Sequence, residues 1–263
     1  MREAWLAGLA LVALAASPAR GDEWSHQYPV KGRPDLHVKT DDGSVRVETS
    51  AGAEIGARVT TEGWRIAPGE VTITESQTGD RVDIEVRIPR ERSWFGLGHR
   101  SIAVVVRMPK QGDVEVHTGD GSITADGLQG EIRLHTGDGS IRAAGLSGRL
   151  KADTGDGSMT VRGRFDVLDL RTGDGGIDAA AEAGSKVESA WSLRSGDGSV
   201  TLRLPEGLGA ELDAQTGEGS ISLDRPASVT GTIREHSVRG TLGPGGPPLQ
   251  IYTGDGSIRL SGL

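Results

Sequence analysis

A carboxylate recurs at one position of a five-residue phrase that occurs eight times in this chain of 263 residues. The phrase reads Thr-Gly-Asp-Gly-Ser or a close variant, and its copies begin at Thr40, Thr118, Thr136, Thr154, Thr172, Ser195, Thr216 and Thr253. Carboxylate oxygens are ligands that Ca²⁺ prefers, so the candidate calcium residues are Asp120, Asp138, Asp156 and Asp174. One carboxylate per copy supplies few of the roughly six to eight oxygens that Ca²⁺ takes. The alternative is a turn in which each Asp accepts a hydrogen bond from the backbone N–H two residues on, between glycines at positive φ.

Other residue types could support catalysis or bind a transition metal. The Thr and Ser of the phrase are repeated, whereas a nucleophile needs one base and one orienting group in a unique pocket. His117 and His135 are one period apart and could stack, but a zinc or copper site would need further ligands. Some β-helix enzymes use paired carboxylates on polysaccharides, and the candidates are Asp153 with Asp156, or Asp166 with Asp169. No cofactor is predicted.

Alternation of apolar and polar residues on both sides of the phrase predicts the elements that position it. Apolar residues stand two positions before the phrase and directly after it, as in Val116, Leu134, Ala152 and Leu170, and in Ile123, Ile141, Met159 and Ile177. A period of two on each side of a Gly-rich turn predicts strand, tight turn, strand.

The spacing of the copies predicts how these units assemble. From Thr118 onward the spacings are 18, 18, 18, 23, 21 and 37 residues, the last close to two periods. A unit of this size cannot bury its own apolar stripe, but stacking at about 4.8 Å per strand buries a narrow continuous core. We therefore expect an all-β fold, a single-chain β-solenoid of about 18–23 residues per coil, with an antiparallel meander as the alternative. The 41 glycines and only nine aromatic residues fit such a core.

The chain divides into four predicted regions. Residues 1–21 resemble a secretory signal peptide, with Arg2, an apolar run of 12 residues and small residues that permit cleavage after Ala19 or Gly21. The alternative, a retained membrane anchor, would need about 20 apolar residues, and no later stretch could span a membrane. Residues 22–35 are expected to be a linker, residues 36–112 an atypical N-terminal β region that caps the solenoid, and residues 113–263 the regular repeat.

The most distinctive segment outside the repeat is residues 90–100. Trp94 and Phe95 lie there among arginines that include Arg92 and Arg100. Aromatic residues with polar neighbours are enriched at binding sites, so these four residues are candidate partner contacts. Because the terminal units of a solenoid must cover an open edge, the same rings could instead form a cap.

Charge and cysteine content exclude several function classes. The formal net charge of −8 argues against binding to the nucleic-acid backbone as the main activity. The chain contains no Cys, which excludes disulfides, thiolate catalysis and Cys-based zinc sites.

The repeated Thr-Gly-Asp-Gly-Ser-Ile, the segment Leu202–Pro205 followed by the copy at Thr216, and the ending from Gly240 resemble the DUF4097 family over roughly residues 36–261. This family is described as candidate adhesins. The resemblance implies an exported bacterial β-solenoid that is often associated with the cell envelope, without established catalytic residues to carry over.

We therefore expect a non-enzymatic interaction scaffold or adhesin that is exported to the periplasm, the cell surface or the medium. Its partner would be a glycan, a protein or another envelope component that the sequence does not identify, and not nucleic acid. Two alternatives stay open, a polysaccharide-active β-helix enzyme and a structural spacer stiffened by Ca²⁺.

Overall fold

The computed structural model describes residues 21–88, 100–224 and 229–263, which form β-strands and turns without an α-helix. No helix in these residues is long and apolar enough to cross a membrane. The strands are β1 (Glu23–Pro29), β2 (Asp35–Thr40), β3 (Ser44–Ser50), β4 (Glu54–Glu62), β5 (Thr72–Thr78), β6 (Arg81–Arg87), β7 (Ser101–Pro109), β8 (Asp113–Thr118), β9 (Ile123–Asp126), β10 (Gln129–Thr136), β11 (Ile141–Thr154), β12 (Met159–Thr172), β13 (Ile177–Ala181), β14 (Trp191–Ser195), β15 (Val200–Leu204), β16 (Ala210–Thr216), β17 (Ile221–Leu223), β18 (Val229–Arg234), β19 (Ser237–Leu242), β20 (Pro248–Thr253) and β21 (Ile258–Gly262). The expected signal peptide lies outside the described residues, apart from Gly21.

Each Gly-rich turn joins two strands that belong to different stacks. The strands before the turns form the pre-turn sheet, in the order β5, β6, β2, β8, β10, β11, β12, β14, β20, β16, β19, β18. The strands after the turns form the post-turn sheet, in the order β1, β4, β7, β3, β9, β11, β12, β13, β15, β21, β17. The long strands β11 and β12 bend and contribute to both. We call one pre-turn strand, its turn and the following post-turn strand a rung.

Neighbouring rungs pair in parallel and in register. Thr136 lies opposite Thr118 on one side and Thr154 on the other, and Ile141 lies between Ile123 and Met159 in the same way. Parallel pairing of equivalent residues excludes the antiparallel meander and confirms the all-β solenoid.

The inward residues of the two sheets form one hydrophobic cluster. Small side chains such as Ala125, Ala143 and Ala179 are fully buried in it, whereas Phe165 and Trp191 are its largest buried members. At roughly 25 cal/mol per Å² of buried apolar surface, this core is held by many modest contributions spread along the stack. The narrow interior explains why the chain contains few aromatic residues.

The rungs do not follow chain order at the ends of the stack. Thr40 lies directly opposite Thr118, although 78 residues separate them. The rung β6–β7, which lacks the Gly-rich phrase, stacks on the other side of β2–β3. At the opposite end, the last rung, β20–β21, is inserted between β14–β15 and β16–β17.

Antiparallel strands close the stack at both ends. β1, β4 and β5 extend the sheets at the N-terminal end, and the β18–β19 hairpin extends the pre-turn sheet at the other. The expectation that residues 22–35 are a linker was wrong for residues 23–29, which form β1. Trp24, His26 and Tyr28 alternate along this strand and face the same side as the inward residues of β4, so the period of two predicts a strand there.

Candidate functional site: the turn edge and the N-terminal end

The eight Gly-rich turns stack into one continuous edge, which we call the turn edge. The Thr or Ser that opens each turn is buried. The hydroxyl of Thr40 donates to the Asp42 carbonyl of its own turn at 2.6 Å. In the other turns the hydroxyl donates to the carbonyl oxygen of the second glycine of the preceding rung, at 2.8 Å from Thr136 to Gly121, 2.9 Å from Thr154 to Gly139 and 2.7 Å from Thr253 to Gly198. These hydroxyls form a ladder of side chain–backbone bonds, which we call the hydroxyl ladder, and it links each rung to the next.

The glycines of the turn edge serve close packing and not positive φ. Among the turn glycines only Gly43 has a φ in the left-handed region, at 126°, so the expectation of positive φ was wrong for the others. A Cβ on Gly139 would overlap the carbonyl oxygen of Gly121, and one on Gly157 would overlap that of Gly139. Glycine recurs because each turn backbone lies against the turn before it.

The carboxylates of the turn edge are exposed and aligned. They are Asp42, Asp120, Asp138, Asp156, Asp174, Asp197, Asp255 and Glu218, in their order along the stack. The expected hydrogen bond from the amide two residues on is wrong for Asp255 and Glu218, because those amides donate to a serine of the adjacent rung: Ser257 N to Ser199 Oγ at 3.2 Å and Ser220 N to Ser257 Oγ at 3.3 Å. Adjacent like charges at rung spacing repel by about 1 kcal/mol in water.

In the described part of the chain, the turn-edge carboxylates are not arranged as a metal-binding site. No group of three or more His, Asp or Glu residues there could hold a metal ion. Calcium binding at Asp120, Asp138, Asp156 and Asp174 stays a prediction for a solution measurement.

His117 and His135 stack on the outer surface of the pre-turn sheet, as their spacing predicts. Their ring centroids are 4.5 Å apart and their planes differ by 15°. His135 Nδ1 lies 3.1 Å from Asp153 Oδ1, which holds that ring in place. Partial burial lowers the pKa of His117, and the neighbouring His135 and Lys39 lower it further. The carboxylate of Glu115 raises it and so opposes these effects. The ring nitrogens of parallel stacked rings do not converge, so the pair does not form a metal site.

A groove of about 560 Å³ lies beside this pair, at the N-terminal end of the pre-turn sheet. Its lining includes His37, Lys39, Glu85, Glu115 and His117. Lys39 Nζ lies 3.6 Å from Glu85 Oε1, and His37 Nδ1 lies 3.7 Å from Glu115 Oε2. Sequence reasoning missed this groove, because β2 and β6 share no phrase that would predict their pairing. Its lining carries one cation, Lys39, against four carboxylates, so it has the chemistry of an acidic polar groove; the carboxylates are Glu75, Asp83, Glu85 and Glu115.

Aromatic residues cover the N-terminal end of the core. The hydroxyl of Tyr28 on β1 donates to Glu75 on β5, so the edge strands of the two sheets meet there. Burial, with this hydrogen bond, raises the pKa of Tyr28 well above its usual range. His26 Nδ1 lies 3.5 Å from Glu75 Oε1 on the same carboxylate.

The candidate partner contacts fall near this end of the chain, but Arg92, Trp94 and Phe95 lie outside the described residues. Arg100 is described, and its guanidinium carbon lies 4.4 Å from the centroid of the Trp64 ring, a cation–π contact. Trp64 is itself buried. Arg100 therefore packs over the covered end of the core.

The two carboxylate pairs considered for hydrolysis do not face a common groove. Asp153 lies on the pre-turn strand β11, while Asp156 lies on the turn edge. Asp166 accepts two hydrogen bonds of 2.6 Å from Arg164, and Asp169 Oδ1 lies 3.3 Å from Arg171 Nε. Arg164 thus fixes Asp166 by two hydrogen bonds, while Asp169 lies within ion-pair distance of Arg171.

Solved structures similar to this chain come from Clostridium and Parabacteroides species. A candidate cell adhesion protein from Clostridium sporogenes is 13% identical, with a TM-score of 0.47, and the match covers 93% of this chain and 100% of that one. A candidate adhesin from Parabacteroides merdae is 12% identical, with a TM-score of 0.47 and coverage of 90% and 95%. A candidate lipid-binding protein from Parabacteroides distasonis is 11% identical, with a TM-score of 0.42 and coverage of 91% and 96%. None of the curated proteins matches the sequence.

The family comparison covers most of the chain. Residues 35–261 match the family described as Toastrack DUF4097. This span begins at β2 and ends within β21, so it contains every rung that carries the Gly-rich phrase. The chain therefore belongs to the Toastrack DUF4097 family.

Proposed function

We propose that this protein is a non-enzymatic, exported β-solenoid of the bacterial envelope or cell surface, acting as an adhesin-like interaction scaffold. The observation that carries the proposal is the in-register stack. Outward polar residues such as Glu115, Arg133 and Lys151 are exposed and lie opposite one another on successive rungs, so polar groups repeat at about 4.8 Å along the outer face of the pre-turn sheet. A surface of this kind suits extended contact with a partner.

The outer faces are held rigid by the backbone and hydroxyl ladder beneath them. The ladder bonds, such as the 2.9 Å contact from Thr154 to Gly139, lie in buried positions where water does not compete. Preorganised surfaces lose less conformational entropy on binding. Rigidity therefore supports a binding role, and export is supported by the signal-like residues 1–21.

The absence of turnover is part of the proposal and needs its own measurement. A glycosidase would bring two carboxyl groups to opposite sides of one bond, at about 5–10 Å. Asp153 and Asp156 lie on different surfaces, and Asp166 and Asp169 each lie within ion-pair distance of an arginine. We expect no hydrolysis across a panel of neutral and acidic polysaccharides. Turnover that is lost in Asp156→Asn would contradict the non-enzymatic role.

Export can be tested with a single cysteine, because the native chain has none. Ser140 is exposed on the turn edge and follows a glycine of the regular repeat. Ser140→Cys should react on intact cells, or after release of the periplasm, with a maleimide that cannot cross the inner membrane. Met159→Cys, at a buried position, is the control for access to the folded protein. Recovery of unlabelled Ser140→Cys only in the cytoplasm would overturn the proposal.

A further inference from the structure

The outer surface of the post-turn sheet carries arginines across seven consecutive strands, β3, β9, β11, β12, β13, β15 and β21. We call this surface the arginine face. Its first outward row is Arg46–Thr124–Arg142–Thr160–Asp178–Thr201–Arg259. The neighbouring row is interrupted by an irregularity in the pairing of β11 with β12 and consists of Glu48–Asp126–Ala144 and Arg162–Ala180–Arg203–Ser261, of which Ala180 is buried. The two rows together contain five arginines. The seven strands span about 29 Å, so there is roughly one arginine per 7 Å along the stack.

The charges at the two sides of the arginine face are paired. Arg46 lies 3.7 Å from Glu48 and 3.6 Å from Asp126, and Arg203 Nη1 lies 2.6 Å from Asp178 Oδ1. These carboxylates leave little free charge at those positions.

The centre of the arginine face differs. Arg142 and Arg162 lie on the adjacent strands β11 and β12, and both side chains are exposed. Neither side chain makes an ion pair or a hydrogen bond with another described residue. Thr124 and Thr160, half-buried, flank Arg142 in its row and offer hydroxyls beside the guanidinium groups. Guanidinium binds carboxylate and sulfate through two parallel hydrogen bonds.

We propose that the arginine face binds a linear acidic polysaccharide, with Arg142 and Arg162 as its main contacts. A chain whose carboxylates are separated by one or two sugar rings can lie across the strands and meet the arginines in turn. The hydroxyls of Thr124 and Thr160 then contact the sugar hydroxyls between the charged groups. This inference rests on the proposed function, since it names the partner of an exported scaffold.

Nucleic acid fits the arginine face less well. Duplex DNA carries one phosphate charge per about 1.7 Å of its axis, which is roughly four times the density of the arginines. The excess phosphates would meet Asp126 and Asp178 between the arginines. The outward rows also contain no aromatic residue on which bases could stack. A polymer with sparse charge is therefore the better match.

The test compares two double variants that remove the same charge from opposite faces. Arg142→Gln/Arg162→Gln alters the arginine face, while Arg149→Gln/Lys151→Gln removes two exposed cations from the pre-turn sheet. Binding is measured by biolayer interferometry on immobilised polygalacturonate, hyaluronate, neutral dextran and poly(dT). Circular dichroism melts establish that both variants fold like the native chain.

We expect the native protein to bind at least one polyuronate, with affinity that falls as salt rises, and to bind dextran and poly(dT) at least tenfold more weakly. The Arg142/Arg162 variant should lose about tenfold in affinity or more, and the Arg149/Lys151 variant less than about twofold. Tighter binding to poly(dT), no polyuronate binding, or equal losses in both variants would each overturn the proposal. A protein that reacts as exported in the Ser140→Cys experiment but binds no polyuronate refutes this inference alone.

Discussion

Between Asp113 and Leu204 the rungs follow one another in chain order, whereas at each end a distant segment is inserted beside them. The regular centre is held by nearly identical turns whose backbones pack against one another. The ends use antiparallel strands and large side chains, such as Tyr28 on β1 and Trp64 after β4, to cover the core. The difference shows that the repeat alone extends the stack, and that closing it needs residues that break the repeat.

The largest expected effect tests the close packing of the centre. Gly139→Ala should lower the free energy of unfolding by roughly 2–4 kcal/mol, because the new Cβ would overlap the Gly121 carbonyl and force two rungs apart. The control is Gly56→Ala on β4, where a Cβ meets nothing within 4 Å and φ is not in the left-handed region. Urea unfolding should show a change of less than about 0.5 kcal/mol for the control. Equal effects in both variants would mean that the turns do not pack as described.

A second prediction concerns the hydroxyl ladder of the centre. Thr154→Val keeps the shape of the side chain but removes the donor to the Gly139 carbonyl, a bond of 2.9 Å in a buried position. The loss of this bond should cost about 1–2 kcal/mol, measured by urea unfolding. Thr74→Val on the exposed strand β5 is the matched control and should have almost no effect. An unchanged free energy of unfolding in Thr154→Val would show that the hydroxyl ladder does not stabilise the fold.

The repeat also explains how much could be predicted from the sequence. Period two around the turns of Thr118, Thr136 and Thr154 correctly predicted strands, register and a narrow core. The order of the rungs could not be predicted, because the turns at Thr40, Thr216 and Thr253 carry nearly the same residues and so do not specify which neighbour each one packs against.

Residues outside the repeat were harder to interpret for a different physical reason. Trp24, His26 and Tyr28 of β1 lie within residues 22–35, for which we predict a linker. Only the pairing of β1 with β4 shows that these three side chains lie on the same face of the strand. The groove of His37 and Glu85 likewise depends on a pairing between strands about 45 residues apart in the chain.

A third prediction tests closure of the N-terminal end. Tyr28→Phe removes the hydroxyl that donates to Glu75 but keeps the buried ring, so unfolding should become easier by about 1 kcal/mol. Because the bond joins the two edge strands, hydrogen exchange in β1 should accelerate more than in β11. Uniform acceleration across both strands would contradict a local role for this contact.

The smallest expected effect is a dependence on pH. The lowered pKa of His117 means that the folded protein binds a proton less readily than the unfolded chain, whose His pKa is about 6.5. The contribution of His117 to stability is therefore complete above this value and decreases as pH falls through it. Urea midpoints at pH 7.5 and pH 5.5 should differ less in His117→Gln than in the native chain. An equal difference in both would show that His117 does not contribute.

The order of the rungs is the central structural claim, and cysteine cross-linking tests it most directly. Ser199 and Ser257 are on adjacent rungs, with Ser257 N 3.2 Å from Ser199 Oγ, although 58 residues separate them. Ser199 and Ser220 are closer in sequence, but the Ser257 rung lies between them, at a separation of about 9.6 Å. Because a disulfide spans at most about 7 Å between Cα atoms, Ser199→Cys/Ser257→Cys should oxidise to an intramolecular disulfide and Ser199→Cys/Ser220→Cys should not. A disulfide in the second variant and none in the first would contradict the architecture.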